Sequence, residues 1–178
     1  AFYFFKGRVA FYAILKAIGI KEGDEVITQA FTCLAVPNPI ICLGAKPIYI
    51  DIDPMSLNMD PSKLEEKITK KTKAIIAQHT YGVPAEMDRI LETAQKYNLY
   101  VIEDACHAIG SKYKGQETGS LGDAAFFSYG WAKPITTGAG GCAVINNPEI
   151  KEKMAKIYGD FVEPSLKESF MLKLEYLC

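Results

Sequence analysis

The sequence of 178 residues carries 20 lysine and arginine residues against 21 aspartate and glutamate residues, which gives a formal net charge of −1. This balance leaves no electrostatic footprint for binding nucleic acid or an anionic membrane surface. No apolar run approaches the roughly 20 residues that a membrane helix requires. The length predicts one domain that can bury a sizeable core.

Cysteine usage and the N-terminus bear on the cellular compartment. The five cysteines, at positions 33, 42, 106, 142 and 178, are odd in number and follow no regular spacing. This usage predicts a reduced, cytoplasmic protein rather than a disulfide framework. The opening letters AFYFF are too few for the apolar core of a signal peptide, and no basic segment precedes them.

The first predicted helix begins at Gly7 and carries apolar residues at helical spacing. Backbone N–H groups at the start of a helix form an anion site, although a glycine at this place is often a simple boundary marker. A short strand at Val26–Gln29 follows, and then a helix that we expect from Cys33 to Leu43.

The middle of the chain alternates strands with helices. Strands are predicted at Lys46–Ile50 and Lys73–Ala77, and helices at Pro61–Ile68, begun by Asp60, and at Glu86–Tyr97. Strands near positions 26, 48, 74 and 100 repeat at about one unit per 25 residues. This alternation predicts an α/β fold with a mainly parallel sheet, right-handed crossovers and helices on both faces.

Polar residues that follow these strands have two interpretations each. Asp51 and Asp53 lie two residues apart, as cation ligands do, but no further ligands with calcium-loop spacing follow, which favours a turn at a strand end. His79 lies just past a strand, where it either forms a structural hydrogen bond or contacts a substrate.

The most informative stretch runs from Tyr100 to Val144. Its first apolar run ends in Asp104, and a second, from Ala124 to Phe127, ends in Ser128. Lys133 follows five residues later, before the glycine-rich letters GAGG at 138–141. Because α/β proteins bind ligands at the carboxyl ends of their strands, this pattern indicates a cofactor site.

The letters EDACHA and GSLGDAAFFSYGWAKPITTGAGG in this stretch carry a family resemblance. The chain resembles the pyridoxal-phosphate-dependent aminotransferases of the DegT/DnrJ/EryC1/StrS type, which act on nucleotide-linked sugars. The resemblance implies the large domain of a fold type I, aspartate-aminotransferase-like transferase. It assigns residues 1–160 to the pyridoxal-phosphate-binding core and residues 161–178 to a helical tail that begins a further C-terminal part.

The resemblance assigns catalytic roles to two residues. Asp104 matches the carboxylate that keeps the ring nitrogen of pyridoxal 5′-phosphate protonated, which the electron-sink chemistry requires. Lys133 matches the lysine that forms the internal Schiff base, and its amine must be partly deprotonated to attack the aldehyde. His107 matches the neighbour of the ring's phenolic oxygen, although it is also typical of a histidine satisfied in the core.

Further positions are implied for binding the cofactor. Gly7, Arg8 and Val9 match the turn that holds the cofactor phosphate, and Ser128 matches the phosphate-binding serine. Relatives commonly place a ring-stacking aromatic residue where this chain has Cys33.

The stacking contact is therefore lost, replaced by a sulfur contact, or supplied by Phe31, which is equally typical of a core residue. Ala139 replaces an acidic residue often found inside the glycine run, which weakens the assignment to a subfamily.

The sequence does not support other common kinds of catalytic or metal site. Cys106, His107 and the scattered cysteines lack paired zinc-ligand spacing, so no metal is expected. The sequence also lacks a P-loop, a nucleophile elbow and a dinucleotide fingerprint.

Two functions follow from the resemblance. In the first, the chain moves an amino group from a donor such as glutamate to a keto-sugar nucleotide, because relatives that dehydrate the sugar carry histidine in place of Lys133. In the second, it is a truncated cofactor-binding or structural piece that is inactive until a partner completes the site. Apolar residues at 166, 170 and 174 form a helical stripe that would face another domain or chain, and a homodimer or larger homo-oligomer is expected.

Overall fold

A computed structural model describes residues 1–161 of the chain, and the predicted stripe at 166–174 lies outside these residues. The described part forms a seven-stranded sheet and a separate two-stranded hairpin. The sheet strands are β1 (Phe2–Phe4), β2 (Glu25–Gln29), β3 (Lys46–Ile50), β4 (Thr72–Gln78), β5 (Tyr100–Asp104), β8 (Ala124–Ser128) and β9 (Gly141–Ile145), and the hairpin pairs β6 (Lys112–Tyr113) with β7 (Gln116–Glu117).

The sheet has the order β1-β9-β8-β5-β4-β2-β3. Five consecutive strands of this order, β8, β5, β4, β2 and β3, pair in parallel, as the alternating pattern predicts. The other edge is antiparallel, because β9 returns alongside β8 and then pairs with β1. The glycine-rich letters that precede β9 mask this strand in the sequence.

Helices cover both faces of the sheet, which confirms the predicted layers. The helices are α1 (Gly7–Ala17), α2 (Pro37–Cys42), α3 (Leu64–Lys67), α4 (Met87–Tyr97) and α5 (Pro148–Tyr158), with 3₁₀ turns at Pro61–Lys63 and Thr80–Gly82. On β4, Ala74 and Ile76 belong to the core under α1, α2 and α5, whereas Ile75 and Ala77 belong to the core under α3 and α4. Successive side chains of a strand point to opposite faces, so β4 contributes to both cores.

The predicted helix at 33–43 is wrong in its first third. Residues 33–36 form a turn in which Val36 N donates to Cys33 O at 2.9 Å, and α2 begins only at Pro37. Proline is well suited to the first helical position because its missing N–H has no intrahelical acceptor there. The predicted start at Asp60 is confirmed, since its carboxylate accepts a hydrogen bond from Ser62 N at 3.0 Å.

Candidate active site

A cavity of about 310 Å³ opens at the carboxyl ends of β5 and β8. Asp104 is the last residue of β5 and Ser128 is the last residue of β8, so two neighbouring strands deliver their final side chains to the same place. The cavity is lined by Lys6, Gly7, Arg8, Cys33, Ala35, Val36, Asp104, Cys106, Phe126, Ser128, Gly130, Trp131, Lys133, Gly138, Ala139 and Gly140. It therefore brings together residues from five separate parts of the chain.

Asp104 is held rigidly at the base of the cavity. It is 8% exposed, its carbonyl accepts a hydrogen bond from His79 N at 3.1 Å, and its Oδ1 accepts one from Cys106 N at 3.1 Å. The neighbouring Cys106 is also buried, and burial together with the Asp104 charge raises the pKa of its thiol well above the ordinary value. Cys106 therefore lines the cavity as a neutral thiol, while Asp104 presents a carboxylate.

Lys133 and His107 meet on the same side of the site. Lys133 Nζ lies 3.0 Å from His107 Nε2, and Lys133 N closes a turn by donating to Gly130 O at 3.0 Å. Burial, and then the charge of Lys133, lower the pKa of His107 below its ordinary value. The imidazole is therefore neutral near pH 7, and its Nε2 is placed to share a hydrogen bond with Lys133 Nζ.

The loop that carries Lys133 is fixed at both ends. Tyr129 N donates to Gly140 O, and Thr137 N donates to Tyr129 O, each at 3.0 Å. Gly140 has a φ of 137°, a conformation that residues with side chains rarely adopt. These bonds close residues 129–140 into a loop that borders the cavity.

The start of α1 approaches the ends of β8 and β9 very closely. A Cβ atom on Gly7 would lie 2.7 Å from Ser128 Cβ, and one on Gly141 would lie 2.4 Å from Gly7 N. Glycine is required at both positions because only hydrogen fits between the backbones. This contact places the positive end of the α1 dipole beside the Ser128 hydroxyl.

The predicted phosphate-binding residues are only partly brought together. Gly7, Arg8 and Ser128 line the cavity, and so does Lys6, which the sequence analysis missed. Val9 is not among the lining residues, and its N–H donates to Lys6 O at 3.0 Å within the first turn of α1. The helix start and two cations therefore face the cavity, which suits an anion.

Cys33 and Phe31 occupy different places. Cys33 lines the cavity, and its Sγ accepts a hydrogen bond from Ala35 N at 3.5 Å. Phe31 is not among the lining residues; it is 45% exposed and packs edge-on against Tyr81 with ring centroids 6.3 Å apart. Between the two, Cys33 is the better placed for contact with a cofactor ring.

His79 has the structural role that was one of its two interpretations. Its ring is fully buried, its Nδ1 accepts a hydrogen bond from Ala85 N at 3.1 Å, and its Nε2 lies 3.0 Å from Glu103 Oε2. Since Nδ1 accepts, the ring proton lies on Nε2 and is donated to Glu103.

Several lining residues and the His79–Glu103 contact were not predicted from the sequence. Phe126 shows only the alternation of a buried strand. Trp131, which as a neighbour of Lys133 suits a shielded amine, does line the cavity. Lys6 stands just before Gly7, and its charge next to a helix start is the signal that identifies it as a candidate.

The described cysteines at 33, 42, 106 and 142 are free thiols. Within residues 1–161, no helix has the length and apolar character needed to cross a membrane.

Comparison with known proteins places these features in context. Residues 5–163 match the DegT/DnrJ/EryC1/StrS aminotransferase family. GDP-perosamine synthase of Caulobacter vibrioides is 44% identical over 164 residues, an alignment that covers 92% of this chain and 44% of that protein.

Solved structures give the same result. The aminotransferase from Psychrobacter cryohalolentis superposes with a TM-score of 0.83 at 34% identity, over 92% of this chain and 44% of that one. NtdA from Bacillus subtilis, solved with the bound cofactor PMP, superposes with a TM-score of 0.82 at 35% identity, over 88% of this chain and 35% of that one. The chain thus spans less than half the length of these relatives, and the expected fold, that of fold type I pyridoxal-phosphate-dependent transferases, is confirmed.

Proposed function

The chain belongs to the DegT/DnrJ/EryC1/StrS aminotransferase family, and on this premise we propose that it carries the cofactor site of a pyridoxal-phosphate-dependent sugar aminotransferase. One observation carries the proposal. Asp104, Ser128 and Lys133 come from three different segments and line a single cavity at the start of α1. No packing requirement of the core explains a carboxylate, a hydroxyl and an amine at one opening.

The donor set of the cavity fits pyridoxal 5′-phosphate. Ser128, Arg8 and the start of α1 form an anion site for the phosphate, and the buried carboxylate of Asp104 suits a protonated ring nitrogen. When bound, the cofactor would supply an aldehyde, for which Lys133 would be the reacting amine, and a ring that can take up an electron pair. The neutral imidazole of His107 lies 3.0 Å from Lys133 Nζ and orients the amine through a hydrogen bond at Nε2.

The substrates are proposed from the relatives. The name of the Caulobacter enzyme, GDP-perosamine synthase, specifies a sugar linked to a nucleotide. For this chain we propose a nucleotide-linked keto-sugar as the acceptor and an amino acid, glutamate, as the donor. The free thiols Cys33 and Cys106 at the cavity fit an enzyme of the reducing cytoplasm.

Lysine labelling tests the proposal directly. The 178-residue chain mixed with pyridoxal phosphate is expected to develop visible absorbance, and borohydride followed by peptide mass mapping is expected to place the label on Lys133. Lys133→Ala should lose both signals, whereas Lys70→Ala, which removes an exposed lysine, should keep them. A label on any other lysine of the parent chain would sink the assignment.

Recognition of the donor requires groups that this stretch of chain does not supply to the cavity. A bidentate arginine is the natural clamp for a carboxylate. The sequence has two arginines, of which Arg8 stands at the phosphate end and Arg89 lies on α4, paired with Glu86 at 3.5 Å. We therefore propose that turnover depends on assembly into a homodimer or larger homo-oligomer and on chain beyond these residues.

The second candidate function follows from the same point. A chain that spans less than half of its relatives is compatible with a cofactor-binding piece that is inactive until it is completed. Mass measurement in solution, combined with a glutamate half-reaction, separates the two. We expect no conversion of the bound aldehyde to the amine by a monomer, and a monomer that converts it at an ordinary enzymatic rate shows that the dependence on assembly is wrong.

A further inference from the structure

An exposed tyrosine stacks on the histidine that contacts Lys133. The rings of Tyr81 and His107 lie nearly parallel, at an interplanar angle of 8°, with centroids 5.8 Å apart. Phe31 packs on Tyr81 from the side, with an interplanar angle of 66°. Tyr81 is 69% exposed, so its ring does not belong to the core, and it contacts the rings of His107 and Phe31 instead.

The backbone at Tyr81 is strained. Its φ of 52° and ψ of 26° lie in the left-handed region, which is a marked departure for an aromatic residue. Strained backbone persists where the surroundings over-determine it, and it concentrates at functional sites.

The turn that holds Tyr81 is fastened on both sides. Before it, the N–H of the buried Thr80 donates to Asn58 Oδ1 at 2.8 Å, and the Thr80 Oγ1 hydroxyl donates to Leu57 O at 3.0 Å. After it, Gly82 O accepts a hydrogen bond from Ser111 Oγ at 2.8 Å. The second fastening ties the turn to the segment that carries His107.

Gly82 makes this approach possible. It has a φ of 86°, and a Cβ atom there would lie 3.2 Å from His107 O, tighter than ordinary van der Waals contact. The backbone of the turn therefore lies directly against the backbone of His107. The turn and the histidine are built as one unit, with the Tyr81 ring over the imidazole.

We propose that Tyr81 is a positioning residue that holds the His107 imidazole in the plane from which Nε2 faces Lys133 Nζ. The significance of this for catalysis rests on the proposed function, because Lys133 is the amine that would hold the cofactor. The positioning itself is a property of the protein without cofactor and can be measured there.

The mechanism is restriction of one torsion. An imidazole turns about its Cβ–Cγ bond over a broad energy well, so an unsupported ring would leave the 3.0 Å contact with Lys133. A parallel aromatic face permits rotation within the stack plane and opposes tilting out of it. While Lys133 carries an ammonium group it can only donate, so the held ring accepts at Nε2 and keeps its proton on Nδ1.

The chain has only two histidines, so the signals of His107 can be assigned without overlap from other imidazoles. The sequence contains only His79 and His107, so nitrogen-15 NMR of histidine-labelled protein shows two imidazoles, and the buried His79 serves as the internal reference for an intact fold. The charged groups that interact with His107 are Lys133 and Asp104, and both remain in every variant used.

Tyr81→Leu and Tyr81→Phe form the matched pair. Leucine meets the same left-handed backbone as tyrosine but offers no ring, whereas phenylalanine keeps the ring and loses the hydroxyl. For Tyr81→Leu we expect the Nδ1-protonated signature of His107 to average with the other tautomer. We also expect the pKa of His107 to rise toward its ordinary value as burial decreases. Tyr81→Phe should match the parent, and so should Tyr49→Leu, which removes an exposed tyrosine on β3.

The outcomes decide the proposal. If Tyr81→Leu leaves the His107 tautomer and titration as in the parent, or if Tyr81→Phe changes them as much as leucine does, the proposal is overturned. Should Tyr81→Leu also move the His79 signals, the parent protein decides, because rings in this arrangement give nuclear Overhauser effects between the Tyr81 ring protons and the carbon-bound protons of His107. The absence of these effects overturns the stack. A failure of borohydride labelling at Lys133 would instead contradict the proposed function and leave these measurements standing.

Discussion

Two adjacent carboxylates at the end of β5 have opposite environments. Glu103 is fully buried and Asp104 is 8% exposed. Each lies near a histidine, Glu103 near His79 and Asp104 near His107. Because neighbouring residues of a strand point to opposite faces, one side chain enters the packed layer under α4 and the other enters the cavity. Both side chains are carboxylates and both are buried, so another property must separate the structural residue from the candidate functional one.

That property is how far each carboxylate is satisfied by the protein itself. Glu103 contacts His79 Nε2 and accepts hydrogen bonds from Gly119 N, Leu121 N and Gly122 N, at 2.7 to 3.0 Å. These donors use the hydrogen-bonding capacity of both its oxygens. Glu103 therefore fixes the 119–122 loop that leads into β8.

Asp104 and its neighbours are organised differently. The carboxylate accepts the Cys106 N–H at Oδ1 and lines a cavity that also contains Lys133. His107 is partly exposed and contacts the amine instead of a carboxylate. A polar cluster that faces open space with hydrogen-bonding capacity remaining is suited to a ligand, whereas a saturated one is suited to stability.

Removing Glu103 is expected to have the largest effect. Glu103→Ala leaves a buried histidine and three backbone N–H groups without their acceptor, and each buried donor left unsatisfied costs about 1–3 kcal/mol. Urea unfolding followed by circular dichroism measures this free energy. Glu92→Ala, on the exposed face of α4, should stay within about 0.5 kcal/mol of the parent, and an equally small effect at Glu103 would erase the distinction.

Asp104→Asn should have the opposite profile, a small effect on unfolding and a large one on chemistry. The amide preserves shape but lacks the charge that is proposed to keep the ring nitrogen of the cofactor protonated. We expect pyridoxal phosphate to bind, and deprotonation of a bound amino acid to slow by roughly 100-fold, about 2.7 kcal/mol.

Nitrogen-15 NMR of labelled cofactor reports the ring nitrogen even if the chain does not turn over, and a single-turnover measurement on the assembled protein reports the rate. A protonated ring nitrogen and a rate within a few-fold of the parent would contradict the role of Asp104.

Ser128→Ala should weaken retention of the cofactor without affecting the other steps. The hydroxyl is one of several groups proposed to bind the phosphate, so its loss is expected to cost about 1.5 kcal/mol, roughly a tenfold weaker Kd. Equilibrium dialysis with pyridoxal phosphate measures the affinity. Ser62→Ala, which removes an exposed hydroxyl near α3, is the matched control, and equal affinities for the two variants would remove Ser128 from the site.

Acid dependence should give the smallest effect. Burial raises the pKa of Glu103, but the His79 contact and the N–H groups of Gly122 and Gly119 outweigh it, so this pKa lies below the ordinary 4.5. A carboxylate with a lower pKa in the folded protein contributes stability that is complete above the unfolded value and is lost as the pH falls through the folded one. We expect the urea midpoint of the parent to decrease as the pH is lowered from about 5 through the folded pKa of Glu103. Glu103→Gln should flatten this slope, and identical slopes would show that another group titrates.

Much of this protein could be predicted from local sequence. The apolar runs that end in Asp104 and Ser128 mark two strands of the parallel sheet, because strand periodicity is written in adjacent residues. Lys133, five residues after Ser128, is identified by its spacing, and the cavity contains all three. Covalent spacing determines these features, so no long-range contact is needed to find them.

Tertiary structure alone decided the remaining features. The strand β9 pairs with β1 across almost the whole described chain, and His79 meets Glu103 from another strand. Such pairings depend on which faces pack together, and they leave no periodic signal in either segment. For the same reason Cys33 enters the cavity while Phe31, two residues earlier, packs on Tyr81. The sequence by itself determined which residue types are available at each strand end, and three-dimensional packing determined which of them are saturated by neighbours and which remain open to a ligand.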